Sequence, residues 1–127
     1  MRIADYAEAV RHLILKTRYV ASHSLAYEDR PPIAGLIKGS IAFADGSRLH
    51  FMEFVQFAEQ AVRLKYAYHY VSQEDTLIFR YDNARDPAAA DLPTYPDHEH
   101  RPGGLAPSGR PSLEQVLLEA SQHVKRP

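Results

Sequence analysis

The chain has 127 residues, a formal net charge of -1 and 45% hydrophobic residues, which describes one ordered domain rather than a disordered chain. The near-neutral charge removes any whole-chain attraction to nucleic acid and leaves that role to a local patch. There is no cysteine, so disulfides, thiolate catalysis and cysteine-ligated zinc are excluded.

Residues 1–16 are expected to form a helix, because Tyr6, Ala9, Val10, Leu13 and Ile14 recur at helical spacing. The segment MRIADYAEAV has no long apolar core and no run reaches the length of a membrane span, so a cytoplasmic address is expected. An antiparallel sheet is predicted over residues 17–83. Its first strand, Val20 to Tyr27, is closed by Arg30-Pro31-Pro32. Leu36–Ala44 and Ser47–Phe57 flank Asp45-Gly46, a hairpin signal. A two-residue turn there would set Ile41 opposite His50 and Lys38 opposite Glu53. Ile37, Ile41, Phe43, Met52 and Phe54 would then share the apolar face, with Glu53 on the other.

Val62–Val71 and Thr76–Asn83 form a second hairpin around Ser72–Asp75. Tyr66, Tyr68 and Tyr70 read as a core stripe. The opposite face would carry His69, Arg80 and Asp82, with Lys65 beside Asp82 and His69 beside Arg80. Five of the nine prolines fall between Pro87 and Pro107, and residues 84–111 read as a loop with a histidine motif. Ser112 and Gln115 form a capping box that starts a helix over 112–125, with stripe Leu113, Val116, Leu117 and Ala120 and with Lys125 and Arg126 at its end. The expected fold is a single α+β domain, residues 1–127: a helix at each end of an antiparallel β-meander of about four to five strands.

No dinucleotide fingerprint, P-loop, H-E-x-x-H or G-x-S-x-G is present. The candidates for chemistry are Glu53, His69, Arg80, Asp82, His98 and His100. Arg80 offers a fork of donors suited to phosphate. Asp82 could orient a histidine, and Glu53 among apolar neighbours could act as a general base. His98 and His100, two apart on an extended segment, could converge on a phosphate. They could equally hold a metal, with Asp97, Glu99 or His69 as third ligand. Each group also has a plain structural reading: Glu53 paired with Lys38, Asp82 with Lys65, and the histidines in a solvated loop.

The series Asp45-Gly46-Ser47, Glu53, Tyr66-Ala-Tyr-His-Tyr70, Leu77-Ile-Phe-Arg-Tyr-Asp-Asn83 and Leu92-Pro-Thr-Tyr-Pro-Asp-His-Glu-His100, closed by Arg110-Pro-Ser-Leu113, resembles the TumE family of toxin–antitoxin toxins over roughly Ile33 to Val124. Asp97 and Glu99 depart from that pattern, which favours a histidine and a basic residue at those places, and both make the segment more acidic. The resemblance implies a toxin with a cognate small antitoxin as partner. On that basis the expectation is RNA cleavage without metal or other cofactor, His69 and His98 or His100 exchanging protons, Arg80 stabilising the phosphate, and Glu53 or Asp82 orienting a histidine. The alternatives are a non-enzymatic module that binds protein or nucleic acid, and a hydrolase with a divalent metal on His98 and His100.

Overall fold

The computed structural model describes residues 1–125. Its elements are α1 (Ile3–Lys16), β1 (Val20–Arg30), β2 (Ala34–Phe43), β3 (Arg48–Phe57), β4 (Ala61–Val71), β5 (Leu77–Asp82), β6 (His98–Arg101), β7 (Gly104–Pro107) and α2 (Leu113–His123). The strands form one antiparallel sheet in chain order. The expected helix–meander–helix plan holds, but with seven strands instead of four to five.

The two extra strands come from the proline-rich stretch. His98–Arg101 pairs with β5, then turns at Pro102-Gly103 into β7. Its prolines stand in the turn and at the last position of the edge strand, where a missing N–H costs the ladder little. The stretch is therefore not a loop throughout.

The β2–β3 turn is one residue longer than expected. Gly46 N donates to Phe43 O and Phe43 N to Ser47 O, so Ala44, Asp45 and Gly46 form a three-residue turn. Gly46 sits at φ 85°, the left-handed position such turns require. The register consequently pairs Ile37 with Glu53, Lys38 with Met52 and Ser40 with His50. A slip of one inverts every side chain of β3. Leu49, Phe51, Glu53, Val55 and Phe57 point into the core, whereas Met52 and Phe54 lie half-buried on the other face.

In the second hairpin the slip is two residues, so the faces stand as expected. Tyr68 pairs with Tyr81 and His69 with Arg80, while Asp82 faces Ala67 rather than Lys65. Tyr66, Tyr68 and Tyr70 are buried, as the aromatic stripe implied.

Both helices cover the same face of the sheet. Ile3, Ala7, Val10 and Ile14 of α1 and Leu113, Val116, Leu117 and Ala120 of α2 join Ile37, Ile41, Leu49, Phe51, Tyr68 and Phe79 in one core cluster. Fully burying side chains of this kind stabilises by about 1.5–3 kcal/mol each. Ser112 caps α2 and makes the expected reciprocal pair with Gln115. Arg126, expected near the end of that helix, lies outside the described residues. Among the described residues, neither α1 nor α2 lies over the other face of the sheet.

Candidate functional site

On the uncovered face, strand pairing lines up one residue from each of six strands: Ser24, Ser40, His50, His69, Arg80 and His100. Neighbouring strands are roughly 4.8 Å apart, so His69 and His100 flank Arg80 at that spacing on either side. The adjacent row ends in Asp82 and His98, which pair across β5 and β6.

Asp82 is the hub. Its buried carboxylate accepts from Arg80 Nε at 2.9 Å and from the Ala84 amide at 2.9 Å. His98 Nε2 lies 3.1 Å from one oxygen and His100 Nε2 3.5 Å from the other. The Pro96 carbonyl can only accept, so His98 Nδ1 carries a hydrogen and donates to it at 2.7 Å. His98 is 1% exposed; it supports the site from beneath. The His100 side chain is 30% exposed and that of Arg80 37%, so those two can meet a ligand. Arg80 uses Nε on Asp82, and its terminal nitrogens make no hydrogen bond among the described residues.

His69 is half-buried, and its Nδ1 is buried with no hydrogen-bond partner among the described residues. Burial, followed by the positive charges of Arg80, His50 and His100, pulls its pKa below the ordinary 6.5. A histidine held neutral beside a guanidinium is suited to accept a proton.

The two unusual acidic residues of the histidine segment lie away from this cluster. β6 alternates, so Glu99 and Arg101 point to the helix side, where Arg101 binds Glu99 at 2.8 Å and Glu119 of α2 at 3.0 Å. Asp97 accepts from Tyr66 Oη at 2.7 Å and from Arg110 Nε at 3.3 Å. Neither can serve as a third metal ligand to His98 and His100. The carboxylate that meets those histidines is Asp82: ligand atoms of the three lie within 4.8 Å of one another. They could hold a divalent cation, but only in competition with the Arg80 guanidinium already bound to Asp82.

Glu53 is separated from the cluster by the sheet itself. It is fully buried on the helix side, accepting from Tyr6 Oη of α1 and, at 2.5 Å, from Tyr68 Oη of β4. Its expected pairing with Lys38 fails for the same reason, the turn of three residues. His50 was not singled out from the sequence. In the shorter register it faced Ile41; the longer turn sets it opposite Ser40, and the β3–β4 pairing places it beside His69.

A family model described as Toxin TumE matches residues 10–126. No curated protein matches the chain, and no solved structure does.

Proposed function

The chain belongs to the TumE toxin family, and from that premise we propose that it is the toxin of a toxin–antitoxin pair, held in check by a small cognate antitoxin and acting by metal-independent cleavage of single-stranded RNA. The observation that carries this reading is the alignment of His69, Arg80 and His100 on three successive strands. A phosphodiester over Arg80 would have one imidazole on each side of it.

The chemistry then follows from position. His69 accepts the proton of the ribose 2′-hydroxyl, whose oxygen forms a new bond to phosphorus. The bond from phosphorus to the 5′-oxygen breaks, and His100 supplies a proton to that oxygen. The products are a 2′,3′-cyclic phosphate and a 5′-hydroxyl. Arg80 places its free nitrogens against the charge that builds on the phosphate. Asp82 fixes both Arg80 and His100, and His98 fixes Asp82. Glu53 takes no part in these steps.

The test is incubation of purified protein with a defined RNA, with and without EDTA. Cleavage that leaves a cyclic phosphate, survives EDTA and stops at a 2′-deoxy substitution supports the scheme. RNA left intact, or cleavage abolished by chelation, would overturn it.

A further inference from the structure

The row of aligned residues does not end at His69. It continues across β3 and β2 through His50 and Ser40, and this half of the face has no part in the bond-breaking steps. We infer that it is the subsite for the nucleotide on the 5′ side of the cut, with that nucleotide's own 5′-phosphate held by Lys38 and His50. The inference rests on the RNA-cleavage reading above and gives it a direction.

The direction comes from the chemistry. The ribose that loses its 2′ proton to His69 lies over β4, and its 3′-phosphate lies over Arg80 of β5. The same nucleotide's 5′-phosphate must continue away from Arg80, over β3 and β2. There His50 is the direct cross-strand partner of His69, and its Nδ1 is 3.1 Å from Ser40 Oγ, which orients the ring. Lys38 is exposed and makes no ion pair among the described residues. It is diagonal to His50 across β2 and β3, a relation that puts two residues about 7–8 Å apart at the backbone, within reach of one phosphate.

The surface beyond them has room for the rest of the strand. Ser24, Leu25, Ala26, Lys38, Gly39 and Ser40 line a concavity of about 290 Å³. A face that merely met solvent would usually carry long charged side chains. Here most of the lining is small side chains, Lys38 is the cation among them, and His50 is bonded to the lining residue Ser40. Charge complementarity therefore favours a polyanion.

Two measurements test the subsite. The first compares cleavage of a dinucleotide bearing a 5′-phosphate with cleavage of the same dinucleotide bearing a 5′-hydroxyl. The parent protein should prefer the phosphorylated form by about tenfold, the scale of one charge-assisted contact. In the Lys38→Ala, His50→Ala double variant that ratio should fall to about one, and Lys38→Glu should reverse it. A ratio untouched by these changes overturns the subsite.

The second measurement is anisotropy of a labelled all-2′-deoxy oligomer, which binds but is not cut. The double variant should bind more weakly, and the slope of log affinity against log salt should fall by about 0.7, one phosphate contact on a single strand. If the parent cuts no RNA yet shows this loss, the phosphate contact at Lys38 and His50 stands while the cleavage scheme, and with it the 5′ assignment, fails. If the parent cuts RNA and the slope does not move, the subsite fails and the cleavage scheme stands.

Discussion

His98 and His100 are two residues apart and share one carboxylate, yet burial separates their tasks. His98 is enclosed, with both ring nitrogens committed. Replacing it with alanine leaves a cavity and strips Asp82 of a partner, so His98→Ala should lose about 2–4 kcal/mol in chemical denaturation. His100→Ala, at a partly open position, should stay within about 1 kcal/mol of the parent while its RNA cleavage falls by roughly 10²–10⁴-fold. Equal stability losses in the two variants would contradict the division. His69 supplies a pH test. Its lowered pKa, from burial first and then Arg80, His50 and His100, means that the folded protein resists a proton the unfolded chain accepts near pH 6.5. Its contribution to stability is therefore intact above 6.5 and declines as pH falls below it. An NMR titration of the His69 ring should give a midpoint under 6.5, rising in Arg80→Gln; a midpoint at or above 6.5 in the parent would contradict the burial and positive charge placed around the ring. Arg80, Asp82 and the H-x-H pair were legible in the sequence because donor geometry and strand alternation are local properties. Their convergence on Asp82 was not, since it depends on β6 existing.

Single turns decide what each strand presents. Asp45-Gly46 announced a hairpin correctly, but the dipeptide serves turns of more than one length, and the extra residue moved Glu53 into the core and set His50 opposite Ser40 on the other face. The local chemistry fits the longer turn: Asp45 Oδ1 accepts from the Ser47 amide at 2.9 Å and from its hydroxyl at 2.5 Å. Gly46→Ala would place an L-residue in the left-handed region and set its Cβ 2.8 Å from Gln73 Cγ. The expected loss is about 1–2 kcal/mol in urea unfolding, and an unchanged midpoint would argue against this turn. The β6–β7 hairpin was hidden for the opposite reason. Five prolines made the region look irregular, and nothing local distinguishes a proline that ends a strand from one that prevents it. α2, by contrast, was legible to its cap because Ser112, Gln115 and the apolar stripe all act within one helix.

The molecule as a whole uses its sheet as a partition, with stability built on one side and chemistry proposed on the other. The helix side is tied by a polar chain that reaches both helices. Tyr6 of α1 and Tyr68 of β4 donate to Glu53, and Arg63 Nη1 donates to Tyr68 Oη and to the Pro111 carbonyl just before α2, each at 2.7 Å. Burial first, then the Glu53 charge, raises the Tyr6 and Tyr68 hydroxyls well above their ordinary 10.0, so both remain donors across the working pH range. Removing the carboxylate would leave the half-buried Tyr6 hydroxyl and the buried Tyr68 hydroxyl without their acceptor and the nearby Arg63 charge uncompensated, and Glu53→Ala should cost about 3–5 kcal/mol. Tyr6→Phe deletes a single donor and keeps the ring that packs edge-on against Phe57. It should lower stability by about 1 kcal/mol while kcat/KM on RNA and the His69 titration midpoint match the parent, because nothing in this chain touches the open face. A fall in cleavage greater than the loss of folded protein would mean that the two faces communicate through β3 and β4, and that the sheet is a coupling element rather than a wall.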